Sequence, residues 1–415
     1  MHMFTVIYGR IFQIVLRVFA YFIHWRIPEL LTGENSVQEL PRLIKEHGVD
    51  RLLIVTDKDI LSLGLVDGLM AGLEKERIRY VVYDATAQNP TIQNIEDAYS
   101  LYRQNQGAGV VAIGGGSPID CAKGVCARVA RPEKSIEEMK GLLKVRENTP
   151  PLYAVPTTSG SGSEATLATV VRNPATNEKY AINDPCLIPG VVVLDPLLTL
   201  NLPPRVTATT GMDALTHAVE AYIGRSNTAH TRLFAREAVK LIFGNLETAC
   251  LDGQNIPARK NMQQAAFEAG KAFTRAYVGN VHAISHTLGG FYGIPHGLAN
   301  AVLLPYVLEY YGAAIDKQLS ELADAAEIGQ PDSSRKDKAQ AFIQAVRLLN
   351  ASTGIPDKIE GIREEDIPQM IEHALAEANP LYPVPRIFGE KDFRAIYEMI
   401  QAEGEFSHGS DNGDR

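Results

Sequence analysis

Short apolar runs alternate with stretches of helical periodicity over the first half of the chain. The runs are rich in valine, isoleucine and leucine and are bounded by turn residues, which is typical of buried strands. They cover residues 52–55, 80–83, 110–113, 152–155 and 191–194. Between them, segments such as 37–46 and 95–104 repeat their apolar positions at helical spacing. This alternation predicts an α/β domain built on a parallel, Rossmann-like sheet with helices on both faces.

The pattern changes at the two consecutive prolines, Pro203 and Pro204. Beyond them no strand pattern is evident, and long helical segments follow one another, of which the clearest cover 211–222, 231–243 and 258–273. We therefore predict an α/β domain over residues 27–204 and an all-helical domain over residues 205–401. The small and polar residues 402–415 predict a disordered tail.

Residues 1–26 predict an amphipathic helix of unusual composition. Residues 3–25 hold seven of the 30 aromatic side chains of the chain, including its single tryptophan. The polar side chains share one stripe at helical spacing, which is formed by Arg10, Gln13, Arg17 and His24. Two arginines argue against a helix that spans a membrane, and no cleavage site for a signal peptide follows.

Two locations of this N-terminal helix remain open at the level of sequence. The helix packs on its own protein or on a second subunit. Alternatively, it lies in a membrane interface, where a cationic stripe and many aromatic side chains are favourable.

Charge and cysteine content exclude several other classes of protein. The formal net charge is −9, and no basic tract marks a surface for nucleic acid. The four cysteines show no C-x-x-C spacing, which indicates reduced thiols rather than a disulfide framework or a zinc knuckle. We therefore expect a cytoplasmic protein without a nucleic-acid partner, with peripheral membrane contact through residues 1–26 as an open possibility.

A strand that runs into three glycines predicts a turn that can bind phosphate. The run 110–113 is followed by Gly114, Gly115, Gly116 and Ser117, and Pro118 then opens a helix. Glycines let backbone N–H groups approach a phosphate, and the helix N-terminus adds partial positive charge. The turn does not follow the G-x-G-x-x-G fingerprint. The glycine cluster is therefore equally compatible with an ordinary strand-to-helix turn.

Two further strand ends carry polar residues that a nucleotide could use. Residues 156–164 read PTTSGSGSE and place hydroxyls and glycines directly after a strand. Asp57 ends the strand at 52–56, where an acid can bind an adenosine ribose and repel a 2′-phosphate. Asp57 is also a plausible helix N-cap. All these loops follow the carboxyl ends of predicted parallel strands, where open α/β sheets bind ligands.

Histidines and one aspartate in the second half show the spacing of a metal site. Asp213 and His217 are four residues apart in a helical segment, and His282 and His286 repeat that spacing. His296 follows, so three of the ten histidines lie between positions 282 and 296. A lone histidine is usually a core residue, but this clustered set favours Fe²⁺ or Zn²⁺.

Taken together, these motifs resemble the iron-containing (group III) alcohol dehydrogenase family. The resemblance spans residue 27 to about residue 397 and rests on IVTD at 54–57, NPT at 89–91, GGGSPIDCAK at 114–123, PTTSGSGSE at 156–164, GMDALTHAVE at 211–220 and HAISHTLGGFYGIPHG at 282–297. It implies a dehydroquinate-synthase-like fold, with the cofactor in the cleft between the domains. It also implies a homodimer and reversible hydride transfer between a primary alcohol or aldehyde and NAD(H).

The resemblance also implies a role for each matching residue. Four residues match the metal ligands, for Fe²⁺ with Zn²⁺ as the alternative: Asp213, His217, His282 and His296. His286 matches a catalytic histidine near the nicotinamide that is not a ligand, and Phe273 is expected to line the substrate pocket. The expected cofactor contacts are Asp57, Asn89, Gly115, Gly116, Ser117, Thr157, Thr158 and Lys179.

Two segments depart from the family pattern. Residues 1–26 precede the usual family start, and the segment after Asn379 and Pro380 replaces a shorter, arginine-containing one, which leaves the substrate open. Two other functions remain possible. One is a related polyol dehydrogenase of the same superfamily, and the other is a non-catalytic, membrane-docked protein that binds a metal or a nucleotide.

Overall fold

The protein is described by a computed structural model that covers residues 2–21, 23, 25–176 and 178–402, with side chains from Val6 onward. The predicted tail therefore lies almost entirely outside the described residues, as does His24 of the predicted polar stripe. The strands of the described part are β1 (Glu29–Thr32), β2 (Arg51–Val55), β3 (Arg79–Tyr83), β4 (Gly109–Gly114), β5 (Gly141–Leu142), β6 (Leu152–Pro156), β7 (Ala168–Asn173), β8 (Glu178–Asn183) and β9 (Val191–Leu194).

Six of these strands form one parallel sheet in the order β1-β9-β6-β4-β2-β3. Every residue of β4, β6 and β9 is buried. Continuous apolar runs predict such strands because helices cover both faces of the sheet. The prediction of a parallel sheet is confirmed, and all five predicted strands belong to it.

The sequence patterns missed four strands. The edge strand β1 is only four residues long and mostly exposed, so it has no apolar run. The strands β5, β8 and β7 form a separate small sheet, in which β7 and β8 are antiparallel. Both β7 and β8 contain charged residues such as Arg172 and Lys179, so the sequence lacks the apolar run of a buried strand there.

The helices of the first half lie between the strands, apart from the N-terminal helix. They are α1 (His2–Tyr21), α2 (Leu40–Glu46), α3 (Lys58–Ser62), α4 (Asp67–Lys75), α5 (Ile92–Gln104) and α6 (Gly116–Ala130). The predicted helix at 37–46 is shorter in the structure, because a 3-10 turn, Ser36–Gln38, precedes α2.

Helices make up the second half. They are α7 (Pro204–Ile223), α8 (Ala229–Leu251), α9 (Ile256–Ala276), α10 (Asn280–Tyr292), α11 (His296–Tyr311), α12 (Asp316–Ala325), α13 (Arg335–Ser352), α14 (Ile367–Ala378) and α15 (Glu390–Ile400). Among the described residues after β9 no strand occurs, which confirms the helical class of this region. The continuous helical stretch His296–Ala325 is long and apolar enough to cross a membrane, but its apolar residues are mostly buried in the core of this region.

The N-terminal helix α1 turns its polar stripe towards the protein. Arg10 and Gln13 donate hydrogen bonds to backbone carbonyls of residues 380–385, with distances of 2.8 and 2.9 Å from Arg10 to Val384 and Pro385, and 3.1 and 2.8 Å from Gln13 to Pro380 and Tyr382. Gly9 fits against Ile387, where an added Cβ would lie 3.2 Å from the Ile387 side chain. The helix therefore packs on its own protein through its polar residues, which a surface helix usually exposes to water.

We predict that Arg10→Ala combined with Gln13→Ala lowers the thermal midpoint of unfolding by a few degrees. The double variant leaves carbonyls of residues 380–385 without their donors, which costs about 2–4 kcal/mol. Differential scanning calorimetry measures the change. Arg17→Ala is the matched control, because Arg17 makes only an exposed contact of 3.4 Å with the Arg225 carbonyl. Equal midpoints for the double variant and the wild type would show that α1 is not held by this stripe.

Candidate metal centre and cofactor cleft

Four predicted ligands come together in the helical region. Asp213 and His217 lie one turn apart on α7, His282 lies on α10, and His296 is the first residue of α11. One carboxylate oxygen and one ring nitrogen from each histidine all lie within 4.8 Å of one another. The spacing along α7 puts two donors on one face, and the short connection between α10 and α11 returns the chain so that His296 lies beside His282.

Glu220 holds His282 in position, and the sequence motifs gave it no role. Its Oε2 lies 2.6 Å from His282 Nδ1, and its carboxylate also accepts the backbone N–H groups of Gly279 and Val281 at 2.9 and 2.8 Å. The buried carboxylate is therefore fully engaged. It stabilises the Nδ1–H tautomer of His282 and leaves the Nε2 lone pair for the centre of the cluster.

The remaining histidines also present Nε2 to the cluster. His296 Nε2 lies 3.5 Å and His217 Nε2 lies 3.9 Å from Asp213 Oδ1. The Nδ1 of His296 lies 3.3 Å from Ser285 Oγ, and the ring of His217 stacks on Phe273 at 4.1 Å. Burial lowers the pKa of His217 to about 4 and that of His296 well below its ordinary value. Both imidazoles are therefore neutral at pH 7, which is the form that binds a metal ion.

Asn300 is a second residue that sequence reasoning missed. It lies one turn after His296 on α11 and is fully buried. Its Nδ2 lies 2.7 Å from Asp213 Oδ1 and 3.2 and 3.1 Å from Nε2 of His282 and His296. The only available signal was its spacing of four residues from His296. The side-chain amide thus donates to Asp213 Oδ1 and has one further hydrogen for the two histidine nitrogens of the candidate ligand set.

His286 lies beside the ligand cluster but is not one of the four converging donors. Its ring stacks on His296 at 5.0 Å, and its Nδ1 lies 2.6 Å from Glu377 Oε1. The Tyr382 hydroxyl donates to the same oxygen at 2.6 Å. Burial alone would raise the pKa of Glu377, but His286 and the two hydrogen bonds lower it below its ordinary value. An ionised Glu377 therefore fixes the Nδ1–H tautomer of His286 and leaves Nε2 free to accept a proton.

Most predicted cofactor contacts lie along one edge of the parallel sheet. Four neighbouring strands, β3, β2, β4 and β6, all end at this edge. The residues that follow them are Asn89 after β3, Asp57 after β2, Gly115, Gly116 and Ser117 after β4, and Thr157 and Thr158 after β6. Lys179 lies on β8 of the small sheet. Burial lowers its pKa, and the nearby carboxylates of Asp120, Glu377 and Asp213 partly offset that shift, so its ammonium lies near the metal candidates.

The glycine-rich turn forms a close-fitting cradle at the N-terminus of α6. Gly114 has a φ of +147°, and a Cβ on Gly116 would lie 2.9 Å from Ser161 Oγ. No side chain caps α6, so its first N–H groups are available to an anion. Thr157 Oγ1 is buried without a hydrogen-bond partner in the protein, beside this turn. An N-terminus without a cap and an unpaired hydroxyl fit a nucleotide phosphate.

Asp57 has the structural role that its sequence position allowed as an alternative. Its Oδ1 accepts the backbone N–H of Ile60 at 2.9 Å and caps α3. The cap uses one carboxylate oxygen, so the second oxygen can still accept a hydrogen bond from a ligand. A role as the N-cap of α3 is therefore compatible with the predicted contact to the cofactor ribose.

Lys123 organises the loop that follows β6. Its buried Nζ lies within 2.5–2.8 Å of the carbonyl oxygens of Ser163, Thr166 and Ala168. Asp120, one turn earlier on α6, accepts the Ser163 hydroxyl at 2.6 Å. Burial lowers the Lys123 pKa to about 8. The glycine-rich turn and the second loop are thus joined by α6 side chains.

The second loop also brings the sheet edge to the metal candidates. A Cβ on Gly160 would lie 2.5 Å from the Thr210 side chain, three residues before Asp213 on α7. A Cβ on Gly162 would lie 2.9 Å from the Ala266 carbonyl on α9. Only glycine permits these approaches, so the loop packs directly against the helices that carry Asp213, His217 and Phe273.

Comparison with known proteins supports a single family. The model described as "Iron-containing alcohol dehydrogenase" matches residues 28–196, and "Fe-containing alcohol dehydrogenase family, C-terminal" matches residues 207–401. The 1,3-propanediol dehydrogenase of Citrobacter freundii is 38% identical over 371 residues, which are 88% of this chain and 95% of that protein.

Solved structures give the same result. That of 1,3-propanediol oxidoreductase has a TM-score of 0.87 at 35% identity, and the match covers 91% of this chain and 100% of that one. The sulfoacetaldehyde reductase from Bifidobacterium kashiwanohense, solved in complex with NAD⁺, has a TM-score of 0.81 at 26% identity, covering 91% and 99%. The matched sequence takes in the whole sheet and every helix that carries a donor. The chain therefore belongs to the iron-containing alcohol dehydrogenase family and is an oxidoreductase.

Proposed function

We propose that this chain catalyses reversible hydride transfer between a primary alcohol and NAD(H), with Fe²⁺ held by Asp213, His217, His282 and His296. The observation that carries the proposal is the convergence of these four donors within 4.8 Å, next to the loop that lines the cofactor edge of the sheet. One carboxylate and three imidazoles suit Fe²⁺, and the same set suits Zn²⁺. The NAD⁺ complex of the sulfoacetaldehyde reductase supports the choice of cofactor.

The cofactor and the metal supply the redox chemistry, and the protein orients the reactants. When bound, the cation polarises the substrate oxygen, and the nicotinamide supplies or accepts the hydride. Glycines at the end of β4 and the N-terminus of α6 would hold the cofactor phosphates, and Asp57 would hold the ribose. Phe273, stacked on His217, covers one side of the substrate position and keeps water from it.

His286 accepts the proton of the alcohol hydroxyl at Nε2. The ionised Glu377 at 2.6 Å from Nδ1 stabilises the resulting imidazolium. Tyr382 positions Glu377 through its hydroxyl. In the direction of aldehyde reduction the same group returns the proton.

We propose a cytoplasmic homodimer as the working form. Support for the location comes from the four cysteines, which are free thiols in the structure and suit a reducing compartment. Support for the dimer comes from the family resemblance. The substrate to test first is 1,3-propanediol, because the relatives named above carry it in their names.

The roles of the clustered histidines can be separated by substitution. We predict that His282→Ala and His296→Ala lose both metal and turnover, since each removes one of four ligands. His286→Ala is expected to keep the metal and to lower kcat by about 10²–10⁴-fold. Metal content by mass spectrometry and kcat from absorbance at 340 nm, on anaerobically purified protein, measure both quantities.

His230→Ala is the control, because His230 is exposed on α8. If His286→Ala lacks the metal while His282→Ala keeps it in full, then His286 is the metal ligand and His282 is the proton acceptor. Full metal and full activity in all three variants would refute the proposed function.

The charge of Asp57 is expected to set the preference for NAD(H) over NADP(H). We predict that Asp57→Asn lowers the ratio of kcat/KM with NAD(H) to kcat/KM with NADP(H) at least about tenfold. Two unit charges about 4 Å apart near a protein surface interact by about 4 kcal/mol, and a tenfold change uses only part of that energy. Asparagine also caps helices, so the variant removes charge and keeps α3. The control is Asp59→Asn, an exposed acid of the same helix. A wild type that uses both cofactors equally would contradict this role.

Glu220 is expected to act as a positioning residue for metal binding. We predict that Glu220→Gln weakens Fe²⁺ affinity about 10–100-fold, because His282 loses the carboxylate that orients it. Competition with a coloured chelator measures the affinity independently of activity. Glu321→Gln is the matched control, since Glu321 bonds the Tyr222 hydroxyl near the end of the same helix without touching a donor. Equal affinity for both variants would assign Glu220 a purely structural role.

A further inference from the structure

The outward side of α1 is a continuous apolar surface, which we call the outer face. It includes Tyr8, Ile11, Ile14, Val15, Val18 and Phe19, whose exposed fractions lie between 48% and 62%. Among the described residues, half of the large hydrophobic side chains that are exposed lie on this one helix. An exposed apolar surface of this kind marks an interaction site.

The helix cannot bury the outer face by rotating about its own axis. Arg10 and Gln13 bind carbonyls of residues 380–385 from the opposite side, and Gln13 is 5% exposed. Rotation would bury the apolar side chains only by breaking these hydrogen bonds and leaving the carbonyls unpaired. The orientation of the outer face towards its surroundings is therefore built into the packing of α1.

The charge around the outer face is positive in a protein that is otherwise acidic. Residues 1–28 contain three arginines and no aspartate or glutamate, whereas the whole chain has a net charge of −9. Arg17 and Arg26 are exposed, and Arg17 lies against Arg225, which is also exposed. Two copies joined through their outer faces would bring these arginines together, whereas an anionic surface would complement them.

We propose that the outer face of α1 lies on the surface of a lipid bilayer that contains anionic headgroups. An apolar helix side with aromatic residues and flanking arginines has the composition of helices that lie in the membrane interface. The helix lies on the bilayer and does not span it, because Arg10 at its middle is held by the body of the protein. This surface is independent of the proposed reaction, and α1 lies outside the residues that the family models match.

The experiment is sedimentation of the full-length, metal-loaded protein with sucrose-filled vesicles. One set mixes phosphatidylglycerol and phosphatidylcholine at a ratio of about one to two, which supplies the anionic surface, and the other is phosphatidylcholine alone. The test variant combines Ile11→Gln, Val15→Gln and Val18→Gln. The matched control combines Leu233→Gln, Leu251→Gln and Leu348→Gln, which are exposed to 63%, 76% and 60% on other helices.

We expect the wild type and the control to bind the anionic vesicles, and to bind less as salt is raised. The test variant is expected to lower the ratio of bound to free protein more than tenfold. A wild type that stays in solution with both vesicle sets would overturn the proposal, and so would a test variant that binds as the wild type does.

A second copy is the competing occupant of the outer face. Sedimentation equilibrium without lipid measures self-association of the wild type and of the test variant. If the test variant dissociates and neither protein binds vesicles, the outer face is a contact between two copies of the chain. Turnover of 1,3-propanediol is measured in parallel. The test variant is expected to keep the turnover of the wild type, because the substituted side chains point away from the body of the enzyme. A wild type that turns over neither 1,3-propanediol nor any other primary alcohol would refute the proposed function and leave the vesicle result standing.

Discussion

The carboxylate of Glu220 on α7 forms hydrogen bonds with the start of α10, and the arrangement of the metal centre depends on this contact. A buried carboxylate is costly unless its oxygens are engaged, and here two backbone N–H groups and His282 engage them. Gly279 makes the contact possible, since a Cβ there would lie 2.7 Å from Glu220 Oε1. The start of α10 is thereby fixed on α7, and His282 has only one position relative to Asp213.

A second constraint joins the sheet to the helices. The loop after β6 approaches α7 and α9 so closely that Gly160 and Gly162 have no room for a side chain. Lys123 holds the same loop from the sheet side by binding three carbonyls. The close contact between the loop and these helices therefore sets the distance between the cofactor edge and the metal donors.

Local patterns in the sequence predicted the parallel strands and a metal site among the clustered histidines, and the family resemblance selected the four donors. Apolar runs identify strands buried on both faces, and a spacing of four residues identifies a shared helix face. Glu220 and Glu377 were missed because their histidine partners lie 62 and 91 positions away in the sequence. Asn300 was missed because an amide four residues from a histidine is not by itself a sign of a metal site. The orientation of α1 escaped for another reason. A stripe of polar residues normally faces water, but here the carbonyls of residues 380–385 require donors, and α1 supplies them.

Asn300 ties the donor set to the position of one helix. It lies one turn after His296 on α11, and its Nδ2 is 2.7–3.2 Å from Asp213 Oδ1 and from Nε2 of His282 and His296. The first turn of α11 therefore carries both a donor and an amide that contacts three of the four donors. A displacement of α11 would move His296 and Asn300 together, so the geometry of the donor set and its hydrogen bonding would change at the same time.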